Sequence, residues 1–208
     1  MGEETGELNG ATGTVRYNTV IGHINAFGGW NMGESVFHDN YSLHSSRGFN
    51  IDSDNNGGVE IRNNTIIHPW GNGGITVGSH QPGKEWYTFQ QFQIHDNVIR
   101  IDRPMQNGIT LNGHATQTAV YNNIFIADPG NLSGSSAIHD TIGDFNDSEN
   151  IFQSNMAFST LPIVNVKGKS RCQWRNLDEN GVIRTDLPNL PATATSPCLV
   201  PPQKVGHD

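Results

Sequence analysis

The sequence has no long apolar run and no extended stretch of helical periodicity. Without about 18 consecutive apolar residues a membrane-spanning helix is excluded, and without helical periodicity a helical core is not predicted. Basic residues are also few, 12 against 20 acidic ones, and the net charge of −8 disfavours general nucleic-acid binding. Cys172 and Cys198 are the only cysteines and could form one bridge. Because neither H-E-x-x-H nor C-x-x-C occurs, a zinc site is not predicted.

Glycine and asparagine are abundant, and one short pattern recurs six times: an apolar residue followed three positions later by Asn. Successive Asn residues are 22, 24, 33, 26 and 32 positions apart. A unit of about two dozen residues that accepts insertions is typical of a stacked repeat architecture. The six segments are Val15–Asn18, Phe37–Asn40, Ile61–Asn64, Ile94–Asn97, Val120–Asn123 and Phe152–Asn155.

Each repeated segment is predicted to be a strand with one core-facing and one outward column. The first residue of every segment is apolar and the second is large and polar, and neighbours on a strand point to opposite faces. For the same reason the dipeptides His38–Asp39 and His95–Asp96 are not expected to form side-chain pairs. The outward column is interpreted as a solvated face, with anion binding as the alternative. Its members are Arg16, His38, Arg62, His95, Tyr121 and Gln153.

Two further strands are predicted in each repeat. Apolar residues such as Ile66 and Ile67 follow the Asn, and a third strand recurs at 48–52, 74–78, 108–112 and 137–141. The recurring Asn is expected at a turn, itself in the left-handed conformation, with its side chain bonded to backbone groups or to the next Asn. One repeat cannot bury its own apolar face, so stacking must supply the partner.

These Asn segments and the GITV and GITL strands resemble the right-handed parallel β-helix of the pectate-lyase-like superfamily. The resemblance covers residues 13–166 and implies an all-β solenoid of about six coils with three short strands per coil. Residues 1–12 form a polar N-terminal segment. The prolines of residues 167–208 suggest an extended C-terminal tail packed along the coils.

The resemblance also implies a groove along the third strands, lined by aromatic, acidic and basic side chains that suit a sugar polymer. The turns beside it include His68, Trp70, Asp102 and Arg103 on one side. The catalytic candidates are Lys84, Glu85, Arg103, His114, His139 and Asp140. The candidates for substrate binding are Trp70, Thr76, His80, Trp86, Thr110 and Asn112.

A calcium site is predicted at Asp52, Asp54 and Asn56, where the sequence matches the first half of a D-x-D-x-N-G calcium loop. The second half departs from the motif, since Asn63 occupies the position of the bidentate Glu. The alternative is a polar turn between Ile51 and Val59. No organic cofactor is predicted.

The predicted function is degradation of a polysaccharide or oligosaccharide by a lyase or a glycoside hydrolase. A lyase requires a base and a cation to neutralise a uronate carboxylate, and a hydrolase requires two facing carboxylates. The alternative is a non-catalytic β-helix such as a tail-spike segment, an adhesin or a carbohydrate-binding module, including a fragment of a longer protein. An extracellular location is expected although no signal peptide is visible, and a homo-oligomer is an open alternative; membrane and nucleic-acid partners are not predicted.

Overall fold

A computed structural model describes residues 7–9, 12–30, 34–52, 58–71, 73–78, 92–112, 115, 118–127, 135–140, 151–153, 155–158 and 164–166. For the strands at 7–9, 151–153, 156–158 and 164–166, and for Trp30, Asp52 and Asp140, it describes the backbone alone. Within these ranges the regular structure consists of short strands.

The strands follow one another as β1 (Glu7–Asn9), β2 (Gly13–Arg16), β3 (Thr19–Ile21), β4 (Asn25–Trp30), β5 (Ser35–His38), β6 (Tyr41–Leu43), β7 (Arg47–Asp52), β8 (Val59–Arg62), β9 (Thr65–Ile67), β10 (Gly73–Val77), β11 (Phe92–His95), β12 (Val98–Ile101), β13 (Asn107–Leu111), β14 (Ala119–Tyr121), β15 (Ile124–Ala127), β16 (Ser136–Asp140), β17 (Ile151–Gln153), β18 (Met156–Phe158) and β19 (Val164–Val166).

Every third strand pairs with its equivalent in the next coil, so the chain forms three parallel sheets. Sheet A has the order β1-β4-β7-β10-β13-β16-β19, sheet B β2-β5-β8-β11-β14-β17, and sheet C β3-β6-β9-β12-β15-β18. The all-β parallel solenoid with three strands per coil is therefore confirmed. About four turns enclose a buried core, against the six coils predicted, since β2 and β3 of the first coil remain largely exposed.

The core is a set of apolar columns running along the solenoid. In sheet B the predicted inward column is confirmed, because Phe37, Ile61, Ile94 and Val120 are each 0% exposed. In sheet A, Phe27 is in register with Phe49, and their rings stack with centroids 4.9 Å apart. Like residues placed at strand spacing stack in columns along the interior, which is how a sequence with 34% hydrophobic residues supports a core.

The six repeated Asn residues form a continuous hydrogen-bonded ladder between sheets B and C. The backbone N and the side-chain Nδ2 of each of the first five Asn residues both donate to Oδ1 of the next Asn, over 3.0–3.1 Å. The second Nδ2 hydrogen of Asn64 goes to the Phe37 carbonyl and that of Asn97 to the Ile61 carbonyl. The side-chain amide of each interior Asn therefore forms hydrogen bonds with the coils on both sides. Because its polar atoms are paired, the amide can be buried.

The left-handed residue of this turn is the one before the ladder Asn, and the prediction that placed the Asn itself there is wrong. Tyr17, Asp39, Asn63, Asp96 and Asn122 have φ between 52° and 59°. The ladder Asn cannot serve as the turn residue because its backbone N–H must point along the solenoid axis to reach the next Oδ1. The turn thus places its strain on the exposed residue and keeps the buried amide in the ladder.

Glycine in sheet A permits the close approach of sheet C. A Cβ added to Gly108 would lie 2.4 Å from Phe125 Cδ1 and 2.5 Å from the Ala137 carbonyl oxygen. We expect Gly108→Ala to lower the free energy of unfolding by about 1–3 kcal/mol through overpacking, measured by urea denaturation. Gly28→Ala is the matched control, because its nearest neighbour would be at 3.4 Å. Equal loss in both variants would contradict the packing explanation.

Candidate functional site

The turn that leads from sheet C to sheet A carries two histidines in a conformation that glycine adopts more easily. Gly22, His44 and His68 occupy equivalent positions in three successive coils, with φ of 77°, 54° and 52°. We call this region, residues 22–24, 44–46, 68–71 and 102–106, the C–A turn. A left-handed conformation costs a non-glycine residue about 1–2 kcal/mol, although His tolerates it better than most. Residues with such strained backbone angles are often found at functional sites.

The His68 side chain is held on two sides. Its Nδ1 lies 2.7 Å from Oδ2 of Asp102, one coil further along, and its ring stacks on that of His44 with centroids 5.4 Å apart. The other carboxylate oxygen of Asp102, Oδ1, is buried without a hydrogen-bond partner. A neutral imidazole that donates from Nδ1 to Asp102 keeps its lone pair on Nε2. This arrangement suits His68 to accept a proton, with Asp102 stabilising the imidazolium that results.

Gln106 joins the turn at residues 68–71 to the turn at residues 102–106 through side-chain hydrogen bonds. Its Oε1 accepts from the backbone N–H groups of Asp102 and Arg103, and its Nε2 donates to the carbonyls of Pro69 and Gly71. Gln106 is 1% exposed, so its amide is a buried clamp between the two turns. Sequence reasoning missed Gln106, because a lone Gln in a turn has no distinguishing pattern.

Trp70 and Arg103 lie on the solvent side of this clamp. Trp70, flanked by the two carbonyls that Gln106 binds, is 46% exposed, and Arg103 is exposed on the neighbouring coil. An exposed indole offers a flat apolar face to a sugar ring, and a guanidinium offers paired donors to a carboxylate. Of the predicted site residues, these two therefore lie on the pair of turns that Gln106 joins and that also carries His68 and Asp102.

The outward column of sheet A runs beside the C–A turn and contains three predicted residues in register. Thr76 pairs with Thr110, which pairs with His139. Thr110 and His139 are partly exposed, whereas Thr76 is 6% exposed. Asn112, predicted to face outward, is 2% exposed. Thr76 and Asn112 consequently offer a substrate little surface, and Thr110 and His139 remain accessible.

The side chains of the other predicted site residues lie outside the described part of the structure. Asp52 and Asp140 end strands β7 and β16, where the backbone alone is described. The remaining predicted residues, which include most of the calcium loop, lie outside the described residues: His80, Lys84, Glu85, Trp86, His114, Asp54 and Asn56. Within the described ranges, no group of three or more His, Cys, Asp or Glu side chains could hold a metal ion.

The outward face of sheet B holds a second cluster, and it overturns the prediction that adjacent His and Asp residues do not pair. Nδ1 of His95 lies 2.7 Å from Asp96, and Nδ1 of His38 lies 2.5 Å from Asp39. The alternation rule fails here because each Asp is the left-handed turn residue. His38 and His95 are each 8% exposed, so they are packed rather than freely solvated.

Within this cluster, His95 connects three coils. Its Nε2 is 2.9 Å from Glu60, whose Oε1 also contacts Arg62 Nε at 3.1 Å. On the other side the His95 ring stacks on Tyr121, with centroids 4.4 Å apart and an angle of 8°. Glu60, Arg62, His95 and Asp96 therefore form one connected polar network on the outward face of sheet B, which we call the clasp.

Tyr121 reports on the packing of this clasp. Burial, together with the negative charges of Glu60 and Asp96, raises the pKa of Tyr121 from 10.0 to about 12. The folded state holds the Tyr121 phenol proton more tightly than the unfolded state does. The contribution of Tyr121 to stability is therefore complete below about pH 10 and is lost as the pH rises through about 12. We expect Tyr121→Phe to remove the phenol titration near pH 12. Absorbance at 295 nm as a function of pH measures this titration. Loss of a step near pH 10 instead would contradict this environment.

No family model, no curated protein and no solved structure was found to match this chain in the three comparisons made. The parallel β-solenoid is therefore established by the geometry itself. In the part of the chain that is described, no helix has the length and hydropathy to span a membrane.

Proposed function

We propose that this chain binds and cleaves an anionic polysaccharide at the C–A turn, and that His68 is the general base. The observation that carries the proposal is the His68–Asp102 pair, formed by two neighbouring turns that also carry the exposed side chains of Trp70 and Arg103. Recognition, charge neutralisation and proton transfer are three separate needs of polysaccharide cleavage, and this turn has a suitable side chain for each.

The proposed reaction is β-elimination at a uronate. Arg103 binds the carboxylate and so favours removal of the adjacent C5 proton by His68 Nε2. The C5–H electron pair forms the C4–C5 double bond as the C4–O bond breaks, and the imidazolium returns its proton to the leaving oxygen. Atoms and charge balance without a further reactant, and Asp102 stabilises the imidazolium during the step.

Elimination is favoured over hydrolysis because the described part of the C–A turn has one carboxylate, Asp102, which is directed at His68. A glycoside hydrolase uses two carboxylates across the glycosidic bond. We include in the same proposal the resemblance to pectate-lyase-like β-helices and an extracellular location. The location follows from the proposed substrate, since polymeric uronates are substrates outside the cell. Binding without turnover is the second candidate, favoured by Trp70 and Arg103, which would contact a sugar without any proton transfer.

The test is incubation of the purified chain with neutral and anionic polysaccharides, each with calcium and with a chelator. Ultraviolet absorbance from unsaturated products and new reducing ends are followed together. Both signals on a uronate polymer support the proposal, and dependence on calcium would support the predicted loop at Asp52, Asp54 and Asn56. Reducing ends alone would indicate hydrolysis, and binding without either product would indicate the non-catalytic candidate.

A further inference from the structure

Two arginines lie along the row of C–A turns, on alternate coils. Arg103 belongs to the turn of the fourth coil, and Arg47 begins strand β7, directly after the turn of the second coil. Their coils are two spacings apart, so the two backbones are separated by about 10 Å along the solenoid axis. Arg103 is exposed and Arg47 is partly exposed. A ligand that runs along the row therefore passes both arginines.

Neither guanidinium is paired with a carboxylate in the part of the chain that is described. Nη1 of Arg47 donates to Oδ1 of Asn25 over 3.4 Å, and its Nε is buried without a hydrogen-bond partner. A neutral amide leaves the charge of the guanidinium uncompensated, and the planar group still has donors that match a carboxylate. Arg47 is thus suited to bind a carboxylate from outside the chain.

The third coil, between the two arginines, offers no cationic Lys or Arg side chain at these positions. Its turn carries Trp70 and Gly71, and Gly73 is in register with Arg47 on one side and with Asn107 on the other. Trp70 is 46% exposed. A carboxylate placed against the indole would lose water without gaining a partner. This coil therefore favours a sugar that carries no charge.

Cationic side chains are scarce along the whole row. Arg103 is the one Lys or Arg in the segments that connect sheet C to sheet A, which are residues 22–24, 44–46, 68–72, 102–106, 128–135 and 159–163. The neighbouring outward column of sheet A contains Asn50, Thr76, Thr110 and His139. One coil spacing is close to the length of one sugar residue, so a continuous polyuronate would place a carboxylate at every coil. Most of those carboxylates would meet no cation.

We propose that the substrate is a polysaccharide in which uronates alternate with neutral sugars, and that Arg47 determines this specificity. The inference rests on the proposed function, in which Arg103 binds the uronate that is cleaved. A disaccharide repeat is close in length to two coil spacings. The next uronate therefore reaches Arg47, while the neutral sugar between the two uronates contacts Trp70.

The first test compares two classes of polymer at pH 8. Polygalacturonate and alginate consist of uronates alone, whereas uronates alternate with N-acetylhexosamines in hyaluronan and unsulfated chondroitin. We expect kcat/KM for an alternating polymer to be at least about tenfold higher, because unpaired carboxylates are costly to desolvate. Equal or faster cleavage of a polymer made of uronates alone would overturn this inference and leave the proposed function standing.

The second test replaces Arg47. Arg47→Gln should raise KM for the alternating polymer about two- to tenfold and leave kcat unchanged, because a contact remote from the proton transfer is lost. Arg47→Lys keeps the charge and should recover part of the affinity. Arg16→Gln is the matched control, since Arg16 is an exposed arginine on sheet B. An unchanged KM in Arg47→Gln, or the same rise in Arg16→Gln, would overturn the role of Arg47.

Binding decides the inference if no polymer yields an unsaturated product, a result that would refute the proposed reaction. The affinity of the native chain and of Arg47→Gln is then measured by calorimetry on the same four polymers. Tighter binding of the alternating polymers, weakened by Arg47→Gln, would still support the inference. Equal or tighter binding of polygalacturonate or alginate, or no binding at all, would overturn it.

Discussion

Replacement of His68 by Gln is expected to lower the rate of polymer cleavage by about 10²–10⁴-fold, the usual contribution of a general base. Gln keeps a donor for Asp102 and a similar size, but it cannot accept a proton from C5. Substrate affinity should change little, because Trp70 and Arg103 remain. The measurement is the initial rate of ultraviolet absorbance on the polymer that the native chain cleaves, with binding followed separately.

His38→Gln is the matched control, since His38 is also paired with an Asp but lies on sheet B. It should retain the native rate. His68→Gly separates the catalytic role from a structural one: glycine relieves the left-handed strain, so activity should be lost while the fold is retained. If His68→Gln cleaves at the native rate, the base is another residue.

Asn97→Ala is expected to lower the free energy of unfolding by about 3–5 kcal/mol, because it leaves buried polar groups unpaired. Asn97 is 0% exposed, and its Oδ1 accepts from the backbone N and the Nδ2 of Asn64. Its own Nδ2 donates to Asn123 and to the carbonyl of Ile61. One truncation therefore breaks the ladder between three coils, and urea denaturation measures the loss.

The control for this variant is Asn18→Ala at the open end of the ladder. Asn18 is exposed and donates to Asn40 and Arg16. Its loss should cost at most about 1 kcal/mol, since the groups it leaves can bond to water. If both variants lose the same amount, burial of the ladder is not the source of its stabilising effect.

The ladder also explains how the solenoid tolerates insertions of different length between its coils. Neighbouring ladder residues are 22 to 33 positions apart in the sequence, yet their amides meet at the same 3.0–3.1 Å. Insertions therefore do not disturb the register between sheets B and C. Residues of the C–A turn can consequently differ from coil to coil, as Gly22 and His68 do, while the core columns stay in register.

The sequence by itself determined the solenoid, its three strands per coil and the inward column that includes Phe37 and Ile94. Side-chain period and repeat spacing are local properties, so a single sequence reveals them. It also predicted Trp70 and Arg103 as site candidates, because aromatic and basic residues in turns are recognisable by residue type, and the structure showed that both are exposed. It did not indicate which of the many polar residues act together.

The tertiary structure decided the pairings. Asp96 turns toward His95 because the strand has ended and the left-handed turn breaks the alternation on which the sequence prediction relied. His68 meets Asp102 across 34 residues only because stacking places the two turns side by side, and Gln106 holds them there. Such contacts depend on the register between coils and on backbone angles at turns, and residue spacing alone specifies neither.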